Sequence, residues 1–209
     1  MYPTYPTMEV RWFLRGAIPD SIREWFLRES IAPSDPESRE DWYVALPNCA
    51  DVGIKLRQGK IEIKKRMSHR GVQKLSKRSK GRVEKWVKWS FETNSKNQEL
   101  PDILTPETAW IAVKKTRQQQ VYEVATNGDV RAIESGTQVK QGCSLEIAEL
   151  FIQDQDWFSL GFEAFGQDDT VEKSLERVTD RVLKRFDFFP LKARYSLSYP
   201  KWLKMILND

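Results

Sequence analysis

Between Val52 and Arg66 apolar and charged residues alternate with a period of two, which restricts this stretch to a pair of strands. Ile54 and Leu56 interleave with Lys55 and Arg57, Gln58-Gly59 supplies a turn, and Ile61 and Ile63 then interleave with Lys60, Glu62 and Lys64. Successive strand side chains point to opposite sides, so the hairpin has one apolar and one charged face. The apolar face must be covered. Alternation leaves open whether the charged face meets solvent or the lumen of a closed sheet.

The same period recurs along the chain. From Met8 to Arg15, the residues Glu9, Arg11 and Phe13 alternate with Met8, Val10 and Trp12. Ile18-Pro19-Asp20 then opens a helix striped by Ile22, Trp25 and Phe26. Arg82 to Phe91 carries Val83, Val87, Trp89 and Phe91 on one face. Trp110 to Arg117 and Val121 to Thr126 read as a strand pair around a Gln-rich turn, and Asn127-Gly128 as a type I′ turn into Val130 to Glu134. Cys143 to Ile152 reads as a long apolar strand carrying Glu146 and Glu149. Ala32 to Asp41 and Thr93 to Pro106 read as loops, and the apolar cluster from Trp157 to Gly166 as core packing, with a lid or partner surface as the alternative. From Asp169 the period turns helical, with Val171, Leu175, Val178, Val182 and Phe186 on one stripe. A last short helix near Pro200 presents Trp202, Leu203 and Ile206.

These elements make an α+β chain of seven or eight strands, a sheet large enough to curl into a barrel, and 209 residues with aromatics throughout favour one domain. Cys49 and Cys143 form no Cys-x-x-Cys or Cys/His pattern, which argues against a zinc ribbon or a disulfide framework and for a reducing cytoplasmic setting. The first residues lack a basic and apolar leader, and no stretch approaches the ~20 apolar residues of a membrane span, so no membrane partner is expected.

The charge is unevenly placed. Lys64 to Lys85 holds ten Lys or Arg against the single acid Glu84, although the whole chain is only +4. Such asymmetry points to an anionic partner or to a solvated basic loop. His69, the only histidine, lies in this segment and reads as a surface residue, so a Ser-His or Cys-His mechanism would have to place its base on a loop. No glycine-rich phosphate loop precedes a helix. What remains is cations on strands. Lys55 and Arg57 form one Lys-x-Arg unit and Lys115 and Arg117 a second, which could converge on a phosphate chain, with Glu62, Glu123, Glu146 and Glu149 as compensating acids.

In order, these segments resemble the CYTH superfamily, the triphosphate tunnel enzymes. The resemblance is carried by Val10-Arg11-Trp12-Phe13-Leu14 before a helix, by Gly53-Ile54-Lys55-Leu56-Arg57 with Ile61-Glu62-Ile63-Lys64, and by Val113-Lys114-Lys115-Thr116-Arg117. It continues through Val121-Tyr122-Glu123-Val124 and Leu145-Glu146-Ile147-Ala148-Glu149. The resemblance implies one domain over 1–209: an antiparallel eight-stranded, tunnel-like β-barrel over about 8–152, with flanking helices and a C-terminal helical region over about 168–209. It implies phosphate contacts from Lys55, Arg57, Lys64, Lys115, Arg117 and Arg11, and metal-facing acids at Glu146, Glu149 and Glu9, with Glu62 and Glu123 as further tunnel acids.

The family's first strand carries Glu-x-Glu-x-Lys, where this chain has Glu9-Val10-Arg11. An arginine in place of a carboxylate removes a hard oxygen ligand and adds positive charge, which should weaken Mg²⁺ or Mn²⁺ binding. The resulting expectation is a protein that binds a triphosphate or another polyanionic phosphate compound in a basic lumen with little or no hydrolysis. The alternatives are a divalent-metal-dependent triphosphatase and nucleic-acid binding through residues 64–85.

Overall fold

Gln58 and Gly59 both take positive φ, 48° and 72°, the geometry of a two-residue turn whose twist matches that of paired strands. Strands β3 (Val52–Arg57) and β4 (Lys60–Lys74) therefore pair tightly, Ile54 opposite Ile63 and Lys55 opposite Glu62. The computed structural model describes residues 5–31, 33–46, 49–92 and 110–208. Beside this hairpin it contains β1 (Tyr5–Arg15), α1 (Asp20–Glu29), β2 (Glu37–Val44), β5 (Lys80–Glu92), β6 (Trp110–Val124), β7 (Val130–Ile133), β8 (Gly142–Ile152), β9 (Gln155–Phe165), α2 (Val171–Leu183) and α3 (Tyr199–Asn208).

The strands run β2-β3-β4-β5-β1-β9-β8-β6, and β6 pairs back onto β2. This closes an antiparallel barrel of eight strands, the architecture that the family resemblance implies, with β7 added outside on β6. Closure leaves few unpaired edges and gives every barrel strand an inner and an outer face.

The outer faces of β1, β8 and β9 carry Met8, Val10, Leu145, Ile147, Leu160 and Phe162, which pack on Ile22, Trp25 and Phe26 of α1 and on Leu175, Val178 and Val182 of α2. A second apolar cluster lies inside. There Phe13, Tyr43, Val113, Ala148, Leu150 and Ile152 meet Trp202, Leu203 and Ile206 of α3, which caps that part of the lumen.

Several sequence expectations change here. The run Gln118-Gln119-Gln120 contains no turn; β6 continues through it, paired with Ile147, Glu146 and Leu145 of β8. Glutamine offers none of the backbone freedom that Gly or Asn gives a turn, and Gln120 Nε2 instead donates to the carbonyls of Val121 and Ile133. In the reversal from β6 into β7 only Gly128 has positive φ, 92°, whereas type I′ needs it at two successive residues, and the Gly128 N–H closes the turn onto the Ala125 carbonyl at 2.8 Å. The expected loop from 32 to 41 contains the start of β2, whose inner and outer faces are both polar. The apolar cluster at 157–166 is β9, entered through Gln153 and Asp154 at φ 47° and 56°, so the barrel runs to Phe165 and not to about 152. His69 is an exposed residue of β4, not of a loop. Phe186 follows the end of α2, although it is buried. The expected loop from Thr93 to Pro106 lies outside the described residues. Among those residues no helix is long and apolar enough to cross a membrane.

Candidate functional site

Strand register places the inward side chains in rows. Glu9 of β1 lies opposite Glu163 of β9, which lies opposite Ser144 of β8. In the next row Arg11 faces Gly161, Gly161 faces Glu146, and Glu146 faces Gln119 of β6. The third row runs Phe13, Ser159, Ala148, Arg117 and, across the barrel closure, Glu37 of β2.

Glu146 is the hub. Its Oε1 accepts from Arg11 Nη1 at 2.6 Å and Lys115 Nζ at 2.9 Å, and its Oε2 from Arg117 Nη1 and Gln119 Nε2, each at 3.3 Å. Burial pushes its pKa up, but Lys115, Arg11 and Arg117 together outweigh burial and hold the carboxyl well below the usual range. Burial also dominates at Lys115, which is pulled down to about 8 even though Glu146 opposes the shift. Tyr199, at the start of α3, accepts from Lys115 Nζ at 3.1 Å, and its ring lies 5.4 Å from the Arg11 guanidinium and 5.3 Å from Lys115 Nζ. Burial pushes the Tyr199 hydroxyl up to about 12.

A second group sits on β2, β3 and β4. Lys55 Nζ is 2.9 Å from Glu62 and 3.5 Å from Asp41, Arg57 Nη2 is 3.0 Å from Glu62, and Arg39 Nε is 2.9 Å from Asp41. Burial raises the Glu62 pKa, but Lys55 and Arg57 outweigh it and the carboxyl is lowered to about 2. Lys64 links the two groups to β1 and β9, with Nζ 2.6 Å from Glu9 and 3.4 Å from Glu163. Directly across from it on β5 stands Lys88, which makes no ion pair among the described residues but whose charge helps hold the Glu62 and Glu163 carboxyls down.

These side chains line a cavity of about 570 Å³ whose wall carries ten Lys or Arg and five Glu. Its remaining wall is mixed: Val44, Leu46, Val52 and, from α3, Leu203 and Leu207 are apolar, beside Gln119, Ser144, Ser198 and Tyr199.

The six cations expected from sequence, Arg11, Lys55, Arg57, Lys64, Lys115 and Arg117, all border this cavity, as do Glu9, Glu62 and Glu146. Glu149 does not. It stands three residues from Glu146, an odd step that turns it to the outer face, where it pairs with Arg23 of α1. Glu123 pairs with Arg131 of β7 at 2.6 Å, away from the cavity. Sequence reasoning missed Glu163, Lys88, Arg39, Asp41 and Tyr199. For Glu163 a signal existed: Ser159, Gly161 and Glu163 alternate with Phe158, Leu160, Phe162 and Ala164, so the apolar cluster is itself a two-faced strand.

The lumen acids do not fit a divalent metal. Mg²⁺ and Mn²⁺ need several oxygen ligands in one near-octahedral set, whereas Glu9, Glu146, Glu163 and Glu62 each accept from a resident Lys or Arg. Among the described residues no cluster of three acids, histidines or cysteines is arranged to hold a metal ion.

No protein-family model matches this sequence, and no curated protein matches it. Among solved structures, the PH1819 protein from Pyrococcus horikoshii OT3 is similar over 97% of this chain and 98% of its own, at 16% identity and a TM-score of 0.47. The S. pombe Pct1 RNA triphosphatase, solved in complex with the Spt5 CTD, is similar over 98% of this chain and 81% of its own, at 8% identity and a TM-score of 0.34.

Proposed function

We propose that this protein binds a triphosphate or another polyanionic phosphate compound inside the barrel, with little or no hydrolysis, in the cytoplasm. The observation that carries the reading is the surplus of cations around the cavity: ten Lys or Arg line it against five Glu, and counting also Asp41 and Glu37, which pair with Lys55, Arg39 and Arg117, still leaves more cations than carboxylates, with Lys88 facing Lys64 and in no ion pair among the described residues. Enclosure amplifies each phosphate contact, because a charge pair at ~4 Å is worth roughly 1 kcal/mol in water and roughly 4 at an effective dielectric near 20. Enclosed cations without carboxylates are costly, and a bound polyanion relieves that cost. Two unpaired thiols, at Cys49 and Cys143, suit a reducing compartment.

Both alternatives lose support. A metal-dependent triphosphatase needs an acid set that the lumen commits to cations. Four of the ten cations of segment 64–85 are engaged within the fold: Lys64 turns into the lumen, Arg66 pairs with Glu84 at 2.7 Å, Arg70 with Glu172 at 2.8 Å and Lys85 with Asp168 at 2.6 Å. That leaves less unpaired charge for a nucleic-acid backbone.

The test is a calorimetric titration with sodium tripolyphosphate, with phosphate release assayed in parallel. Binding should be salt-sensitive and weakened about tenfold or more in Lys88→Ala, the scale of one net charge-assisted contact. Absence of binding, or a Kd unchanged in both Lys88→Ala and the double variant Arg57→Ala, Arg117→Ala, would overturn the reading.

A further inference from the structure

Three lumen carboxylates converge from adjacent strands. Glu9 and Glu163 are direct register partners, and Glu146 stands one row away across Gly161. Left to themselves, three acids this close would repel one another or gather a multivalent cation. Instead two side-chain cations sit among them. Lys64 Nζ serves Glu9 and Glu163 at 2.6 and 3.4 Å, and Arg11 Nη1 lies 2.6 Å from Glu146 and 3.1 Å from Ser159 Oγ.

The backbone is shaped for Arg11. A Cβ at position 161 would lie 2.6 Å from the central carbon of its guanidinium and 2.8 and 2.9 Å from two of its nitrogens, so any larger residue there would push the group from its present place. The Tyr199 ring backs the same group. A guanidinium does not lose its proton in a protein, which makes this a permanent positive charge fixed by covalent bonds.

We infer that Arg11 performs in this lumen the charge-neutralising task a divalent metal ion would otherwise perform, so that the phosphate ligand is taken up as a bare polyanion and not as its metal chelate. The inference rests on the phosphate-binding reading above. It follows from two features of the site. Of the carboxylates that would complete a metal's coordination shell, Glu9 and Glu146 already accept short bonds from Lys64, Arg11 and Lys115, and Glu163 a longer one from Lys64. A chelate would also bring two further positive charges into a wall that already carries a surplus, whereas a bare chain leaves its full negative charge for the wall's cations.

The experiment uses the full chain and two probes. Sodium tripolyphosphate is titrated calorimetrically in EDTA, in Mg²⁺ and in Mn²⁺, and Mn²⁺ alone is titrated and followed by electron paramagnetic resonance. The wild-type chain should bind tripolyphosphate in EDTA at least as tightly as in Mg²⁺, and should show no Mn²⁺ binding. Arg11→Gln should lose about tenfold in tripolyphosphate affinity in EDTA, the scale of one charge-assisted contact, and should regain part of it in Mg²⁺, because Glu146 then lacks one of its cations while Lys64 still holds Glu9 and Glu163. Arg11→Lys, which keeps the charge, should show a smaller loss and no recovery in Mg²⁺.

Tripolyphosphate binding that vanishes in EDTA and returns with Mg²⁺ would overturn the inference while leaving phosphate binding intact. Mn²⁺ bound by the wild-type chain alone overturns it whatever the phosphate result. Absence of tripolyphosphate binding in every buffer overturns the phosphate reading and this inference with it. Should Arg11→Gln fail to fold, the wild-type arms decide the matter unaided.

Discussion

The inside of the barrel is two environments built on the same strands. Along β8 the inward side chains are Ser144 and Glu146, then Ala148, Leu150 and Ile152; along β1 they are Glu9 and Arg11, then Phe13. In the apolar half Phe13 stacks on Trp202 at 4.6 Å and Tyr43 on Tyr199 at 5.5 Å. In the charged half Glu146 alone accepts from four side chains. The contrast is between two kinds of cohesion. Apolar burial scales with area and needs no particular partner, whereas each buried charge is stabilising only while its partner is present. The first makes a plug. The second makes a site that a ligand of the right charge can reorganise or complete.

The contrast is testable through what a polyanion can and cannot rescue. The largest effect is expected from Trp202→Ala, which empties a fully buried position between Phe13, Trp157 and Tyr199. Unfolding in urea should show a loss of about 5 kcal/mol, and saturating tripolyphosphate should not restore the missing packing. Next comes Glu146→Gln, which leaves Arg11, Lys115 and Arg117 without their shared carboxylate. It should cost about 4 kcal/mol, much of it recovered with tripolyphosphate, which can stand in for the lost negative charge. Equal recovery in both variants, or in neither, would break the distinction between the two halves.

A smaller effect sharpens the comparison through pH. Glu62 has a folded pKa near 2 against an ordinary 4.5, so the unfolded chain binds its proton more tightly. The stability it contributes is complete above pH 4.5 and is lost as pH falls from there towards 2. Over that window it amounts to about 3 kcal/mol. Acid unfolding followed by circular dichroism should show this loss in the wild type, and Glu62→Gln should remove it; an unchanged acid limb in the variant would separate Glu62 from the lumen's charge balance.

Much of the site could be read in the sequence because a strand has a fixed period. The units Lys55-x-Arg57 and Lys115-x-Arg117, and the pair Glu9 and Arg11, each had to share a face, and they do. The same rule, applied strictly, would have separated Glu149 from Glu146. Strand β2 escaped notice because Glu37, Arg39 and Asp41 inside and Ser38 and Glu40 outside make both of its faces polar. Strand β9 escaped for the opposite reason. Its outer face packs on α2, its inner face is made small by Ser159 and Gly161, and the stretch therefore looks like an apolar cluster. Glu163 was hidden with it. Lys88 was visible as a residue of a strand, but its opposition to Lys64 depends on the pairing of β4 with β5, including the bulges that shift their register beyond Arg66.

Within each strand, then, the amino-acid order alone fixed which side chains travel together, because alternation is a local property of the extended backbone. It also fixed the mismatch between Glu9-Val10-Arg11 and a first strand bearing two glutamates. Only the tertiary structure decided which faces turn inward, since β2 must pair with β6 to make an inside at all. It alone placed Glu9, Glu146 and Glu163 around Arg11 and Lys64, a meeting of residues as far apart in sequence as 9 and 163. Charges interact through space, and the distances between them are set by register and closure, which are long-range properties that no local pattern encodes.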